Sequence, residues 1–306
     1  MRALVTGASG FIGGRLARRL RERGDDVRCL VRNRDSVRAR TLVDEGFEVH
    51  VGDVLRPDSL SGAGRCVDVA YYLVHSMGRG GDGSDFVERE RQAAEVFARM
   101  ATQEGIARVV YLGGLGENPR SKHLRSRHET AKQLGSHGPP LTYFRAAMVV
   151  GSDSESYRTL RYLVERLPAM IAPAWLGTKT QPIGIDDVLS YLSQAPGVEA
   201  SVGRELQIGG PDVLTYGEML DIMAVALGKR PRPKIPVPFL TPWLSSLWIG
   251  LVTPVDAGVA RPLIEGLSTE TVVTDDSARR LFEIEPASFE ATLRQALAED
   301  KDAPAD

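Results

Sequence analysis

Thr6-Gly7-Ala8-Ser9-Gly10-Phe11-Ile12-Gly13 follows the apolar run Ala3-Leu4-Val5, and beyond it Ile12, Leu16 and Leu20 recur at four-residue spacing. The apolar run reads as a short buried strand. The recurrence reads as one face of an amphipathic helix ending near Arg23, with arginines on the other face. In a strand, turn and helix of this order, each glycine has a task. Gly7 permits a tight turn, Gly10 lets a pyrophosphate approach the backbone, and Gly13 lets helix and strand pack closely. The anion then meets the free N–H groups of the helix N-terminus. Gly7, Ser9, Gly10, Phe11, Ile12 and Gly13 are therefore candidate contacts for a dinucleotide; the alternative is a plain strand-turn-helix with incidental glycines.

Outward from this stretch, apolar runs at 27–31, 48–51, 67–74, 108–112 and 141–150 predict five more strands, with a long helix over 85–103. Runs of this kind separated by helical segments, without strict alternation, indicate a parallel sheet covered on both faces. The expected fold class is α/β, a doubly wound Rossmann sheet. After Gly151 the texture changes: a helix at 157–167, an irregular stretch at 169–182, and a strand at 205–208. A helix at 216–227 and a proline-punctuated run at 231–242 come next, and the tail is an amphipathic helix with a frayed end at 300–306. The expected division is a dinucleotide-binding domain over 1–151, completed by about 180–210. Residues 152–180 and 211–306 then form a smaller α+β substrate-side domain.

Composition removes other classes. The 306 residues are 42% hydrophobic and 25% charged, which excludes a disordered or fibrous chain. Thirty-eight Lys plus Arg against 40 Asp plus Glu leave a net charge of −2, so no direct nucleic-acid contact is expected. Two cysteines without a Cys/His cluster indicate neither a disulfide scaffold nor a metal site. The N-terminus shows no signal-peptide pattern, and a cytoplasmic protein is expected. Glycine is in excess, 31 residues or about 10% against the roughly 7% norm. Its clusters at 7–14, 78–83 and 113–116 each follow a predicted strand.

Arg32, just past the second strand, stands where NAD enzymes usually carry an acid for the ribose 2′-hydroxyl. A cation there favours a 2′-phosphate, hence NADP, with NAD as the alternative. Asp53 after the third strand is placed either to bond the adenine amino group or to cap a turn. Tyr157 and Tyr162 stand either where a substrate domain would line its pocket or in a helical core. Residues 235–255 carry no charge, but Pro236, Pro238 and Pro242 leave only 243–252 as an apolar helix. That is too short for a transmembrane span. It fits core packing, a homodimer or protein-partner contact, a channel for a small hydrophobic molecule, or a membrane-facing surface.

TGASGFIGG, Gly52-Asp53-Val54, Phe144-Arg145-Ala146-Ala147-Met148-Val149-Val150-Gly151, Gln181-Pro182-Ile183-Gly184-Ile185-Asp186-Asp187-Val188 and Glu205-Leu206-Gln207-Ile208-Gly209-Gly210 together resemble the extended and atypical short-chain dehydrogenase/reductase superfamily. His123-Leu124-Arg125-Ser126-Arg127 and residues 162–168 and 247–254 resemble its NmrA-like and YbjT-like bacterial branch. The resemblance implies an NADP-binding protein and adds Val54, Leu73, Val74 and Arg145 to the cofactor contacts. Catalytic members of that superfamily carry a Ser or Thr after the fifth strand and a Tyr-x-x-x-Lys pair on the next helix. Here the strand runs into Leu112-Gly113-Gly114-Leu115-Gly116, and a histidine replaces the tyrosine in either register, His123-x-x-x-Arg127 or His128-x-x-x-Lys132. The first has the usual spacing to Arg145. His123 and His75 are candidate general acids and Arg127 a candidate ribose ligand; the bland alternative is that all three only surround the cofactor. An NADPH-dependent oxidoreductase for a hydrophobic carbonyl, enone or quinone-like substrate and a non-catalytic NADP(H) sensor both fit.

Overall fold

The structure, a computed structural model, describes residues 1–74, 83–116, 122–167, 169–236 and 267–302. Seven strands form one parallel sheet: β1 (Arg2–Thr6), β2 (Asp26–Val31), β3 (Glu48–Val51), β4 (Val69–Tyr72), β5 (Arg108–Gly114), β6 (Leu141–Ala146) and β7 (Glu205–Ile208). Their order is β7-β6-β5-β4-β1-β2-β3. The helices are α1 (Phe11–Glu22), α2 (Val37–Asp44), α3 (Gly83–Gln103), α4 (Lys122–His137), α5 (Glu155–Arg166), α6 (Ile185–Gln194), α7 (Tyr216–Ala226), α8 (Ser277–Phe282) and α9 (Phe289–Asp302).

The strand runs are continuously apolar because both sheet faces are covered. Successive residues point to opposite sides, so Ala3, Val5 and Tyr71 join Leu16, Leu20, Val188 and Leu192 of α1 and α6. Leu4, Tyr72 and Tyr111 join Ala94, Phe97 and Leu134 of α3 and α4 on the opposite face. A third apolar cluster lies off the sheet, where Tyr157, Leu163, Met219, Met223 and Leu293 of α5, α7 and α9 meet. The strand order reverses between β1 and β4, and such a switch opens a crevice at the carboxyl ends of the strands.

Several sequence-based boundaries need correction. The single strand expected over 141–150 is two pieces. β6 ends at Ala146, and Val149–Val150 pairs in parallel with Ile183–Gly184, because the chain changes hydrogen-bond partner at Met148. β4 is shorter than 67–74: the Leu73 amide leaves the ladder and donates to Thr6 Oγ1 at 2.9 Å. The irregular stretch 169–182 contains the short strands Met170–Ala172 and Lys179–Thr180. The tail is not frayed from Asp300: α9 runs to Asp302, and the Asp300 carboxylate accepts from the Tyr157 hydroxyl at 2.8 Å. That bond places Tyr157 in the core. Helices α2, α6 and α8 were not foreseen; α6 carries Asp186 and Asp187 in its first turn, the side of the helix dipole that favours acids.

Candidate functional site

The glycine turn is built as its spacing requires. Gly7 has φ +63°, its carbonyl accepts from the Gly10 amide at 2.8 Å, and a Cβ on it would lie 2.5 Å from the Leu73 carbonyl oxygen. A Cβ on Gly13 would stand 2.3 Å from the Gly7 carbonyl oxygen. The turn is tied sideways into β4 by Thr6, whose hydroxyl donates to the Tyr71 carbonyl at 3.0 Å. α1 then opens at Gly10 with no side-chain cap, so its first-turn amides are offered outward at the switch point. Phe11 and Ile12 are half-buried, and the Phe11 ring reaches Gly151 on the far wall. Ala8 is buried, Ser9 half-buried and Gly10 exposed, so the loop itself closes over nothing and leaves its outer rim to a ligand.

At the rim, Arg32 is exposed just beyond β2. The tertiary structure adds Arg38, in the first turn of α2, whose guanidinium donates to the Ser9 carbonyl at 3.5 Å. Arg32 and Arg38 thus flank the glycine loop as two exposed cations. Sequence reading named only the first, because nothing local announces that α2 turns Arg38 back onto Ser9. Asp53 makes a turn contact, accepting from the Leu55 amide at 2.9 Å through Oδ1, while its own amide donates to Ser59 Oγ. Val54 and Leu73 are buried and Val74 half-buried, forming apolar wall at the crevice.

The far end of the crevice is the mouth of β5. A Cβ on Gly113 would lie 2.8 Å from the Tyr143 ring, and one on Gly114 would lie 2.7 Å from Leu124. Where a hydroxyl-bearing residue was expected, the space is therefore filled by Tyr143 and Leu124. Tyr143 stacks on Tyr111 at 5.1 Å in register across β5 and β6. Burial pushes the Tyr111 phenol up to about 12, and its hydroxyl donates to the Arg127 carbonyl at 3.3 Å. Arg127 is half-buried beside Gly114. His128 turns elsewhere: Nε2 lies 3.4 Å from Arg145 Nη2, and the ring stands edge-on to Tyr143. Lys132 is exposed. His123 lies one helical turn before Arg127 on α4, and His128 one turn before Lys132. The His123 side chain, His75, residues 78–82 of the second glycine cluster and the 243–252 segment lie outside the described residues.

Arg145 is buried, and its guanidinium reaches Glu205 Oε1 and the Gly116 carbonyl, each at 2.6 Å. It pins the β5–α4 connection to β6 and β7. Arg145→Met is expected to cost about 2 kcal/mol in urea unfolding, since a half-exposed glutamate and a buried carbonyl lose their donor. Arg145→Lys should recover little, because one ammonium cannot span the same acceptors.

Beyond Gly116, whose φ is +146°, sits a group of hydroxyls that sequence reading missed. Thr269 and Thr271 place methyl groups 3.5 and 3.7 Å from where a Gly116 Cβ would be. Thr271 donates to Thr180 at 2.8 Å beside the buried Tyr216 phenol, which burial pushes up to about 12. Trp175 stands edge-on to Tyr216 at 6.1 Å. The two-residue spacing of Thr269 and Thr271 was the available signal, and both methyl groups turn toward Gly116. Among the described residues there is no cluster of three or more His, Cys, Asp or Glu able to hold a metal, and no helix long and apolar enough to cross a membrane.

Residues 7–141 match the family described as NAD(P)H-binding. The chain is 25% identical over 291 residues to NADH dehydrogenase (ubiquinone) 1 alpha subcomplex subunit 9, mitochondrial, of Arabidopsis thaliana, covering 90% of this chain and 72% of that protein. Its fold is similar to that of the Citrobacter sp. triphenylmethane reductase complexed with NADP(H), with TM-score 0.74 and 20% identity over 97% of this chain and 100% of that one. It is also similar to the NADPH-dependent quinone oxidoreductase of Escherichia coli complexed with NADPH, with TM-score 0.75 and 16% identity over 97% and 100%.

Proposed function

We propose that this chain, whose residues 7–141 form an NAD(P)H-binding domain in the fold of the short-chain dehydrogenase/reductase superfamily, is an NADPH-dependent oxidoreductase for a hydrophobic carbonyl, enone or quinone-like substrate. The observation that carries the proposal is the glycine cradle, where side chains at Gly7 and Gly13 would strike backbone, with Arg32 and Arg38 at its rim. The likeness to two folds solved with the phosphorylated cofactor supports the same choice. Bound NADPH supplies the hydride.

The chain's own residues do the rest. The first-turn amides of α1 hold the pyrophosphate, and Arg32 and Arg38 hold the 2′-phosphate as charge-assisted donors. The second carboxylate oxygen of Asp53 bonds the adenine amino group. Arg127 steadies the ribose, and because a guanidinium does not deprotonate it takes no part in proton transfer. His123 or His75 gives the proton to the substrate oxygen, a task that suits an imidazole near neutral pH. The division into a dinucleotide domain over 1–151 with 180–210, and a substrate side over 152–180 and 211–306, is supported by the separate apolar cluster of α5, α7 and α9.

A second reading rests on β5 itself. With Gly113 and Gly114 at its mouth and Tyr143 in the vacated space, the site lacks the family's hydroxyl, which favours a sensor of the NADP(H) redox state. One experiment separates the two. Purified protein with NADPH and a panel of apolar ketones, enones and quinones is followed by loss of NADPH absorbance. Turnover well above the protein-free rate is expected. Absence of turnover across the panel, together with unequal affinity for NADP+ and NADPH, would establish the sensor instead.

A further inference from the structure

We propose that Glu299, on the C-terminal helix α9, is a positioning residue for the dinucleotide: it holds Arg15, and through Arg15 it holds the first turn of α1 in the direction that meets the pyrophosphate. The role rests on the reading above that the α1 amides bind that group. Arg15 Nη2 donates to Glu299 Oε2 at 3.1 Å and to Ser152 Oγ at 3.0 Å, and reaches Asp153 Oδ2 at 3.5 Å. The buried Ser152 hydroxyl donates to the same Glu299 oxygen at 2.7 Å. Burial opposes ionisation of Glu299, yet the bonds from Ser152 and Arg15 hold its carboxyl below the usual carboxylate range, so it is a charged partner at neutral pH.

Arg15 connects that carboxylate to the glycine turn. It stands one helical turn after Phe11, the first residue of α1, with its guanidinium over the Phe11 ring at 5.4 Å. The tip of that ring lies 2.8 Å from where a Gly151 Cβ would be. α1 therefore grips residues 151–153 at two points one turn apart, with the ring on Gly151 and the guanidinium on Ser152 and Asp153. Two such points fix the rotation and tilt of the helix start, and Glu299 supplies the charge that keeps the guanidinium in place. α9 is itself anchored: Gln295 donates to Asp186 of α6 at 2.5 Å, and Phe289 and Leu293 are buried with α5 and α7. Hydrogen bonds weaken steeply with misalignment, so a first turn that is free to tilt aims its amides off a bound phosphate.

The test reads binding without turnover: NADP+ and adenosine 2′-monophosphate are each titrated into the full-length protein by calorimetry. The monophosphate carries the adenine and the 2′-phosphate but no pyrophosphate. Glu299→Ala should weaken NADP+ binding roughly 5-fold and leave adenosine 2′-monophosphate within about 2-fold of the parent. Glu299→Gln, whose amide oxygen still accepts from Arg15 and Ser152, should bring NADP+ back to within about 2-fold. Arg15→Met should match Glu299→Ala, and the double variant should lose no more than either alone, since both act through one contact. Parental NADP+ affinity in a folded Glu299→Ala protein, or equal losses for the two ligands, overturns the positioning role. If melting curves show Glu299→Ala to be misfolded, Arg15→Met decides by the same two titrations. The readings above fail separately. No NADP+ binding by the parent protein would overturn the cofactor site itself, whereas the expected pattern without any NADPH oxidation would sink turnover and leave the positioning role.

Discussion

Gly13→Val is expected to abolish measurable dinucleotide binding and to lower the thermal unfolding midpoint by roughly 5–10 °C. A Cβ at Gly13 would meet the Gly7 carbonyl oxygen at 2.3 Å, its carbon at 2.8 Å and Ala8 Cα at 3.0 Å. All three are backbone atoms, so no rotamer change relieves the contact. α1 must move away from the turn, at a cost of about 1–3 kcal/mol for overpacking, and its first-turn amides move with it. Gly177→Ala is the control: nothing lies within 4 Å of the added carbon, and stability should stay within about 0.5 kcal/mol of the parent. The measurements are a melting curve and a titration of NADPH by its fluorescence. A folded Gly13→Val protein that binds NADPH with parental affinity would remove the α1 N-terminus from the site.

The double change Arg32→Glu with Arg38→Glu should reverse the cofactor preference. Each charge-assisted hydrogen bond to a phosphate contributes about 1.5–3 kcal/mol, and the new carboxylates repel the 2′-phosphate. NADPH affinity should therefore fall roughly 100-fold or more, while NADH affinity changes by less than about 3-fold. Both arginines are exposed, so the parent's preference for NADPH should also shrink as salt rises. Equal losses for the two cofactors would show that the arginines hold the loop and not the phosphate. Arg38→Glu alone tests the residue that only the folded chain reveals.

The cofactor loop was legible in the sequence because its causes are local. A turn that needs a positive φ at Gly7, a carbonyl that forbids a Cβ at Gly13 and a helix beginning between them all fall within a few consecutive residues. The missing hydroxyl at Gly113 and Gly114 was equally legible, being an identity at a counted position. What fills the gap was not. Tyr143 reaches Gly113 because β5 and β6 run in parallel with Tyr111 opposite Tyr143, and that register belongs to the sheet. The two histidine registers on α4 were inseparable by spacing. The contact of His128 with Arg145 is set only once the helix lies on the sheet. Arg145 binds Glu205 and the Gly116 carbonyl, a contact that needs β7 beside β6.

By itself the sequence determined a strand, a glycine turn and a helix of the form that suits a dinucleotide, and a β5 end without the expected hydroxyl. Periodicity, glycine sterics and residue identity act over a few residues and survive without the rest of the chain. The tertiary structure alone decided which distant groups come together: Arg38 beside Ser9, Tyr143 beneath Gly113, Thr269 and Thr271 beyond Gly116, and Trp175 against Tyr216. Those neighbours come from segments far apart in the chain, and only the strand order and the packing of α2 and α7 bring them together. Their chemistry is therefore a property of the packed chain, because burial and contact decide which polar groups are paired.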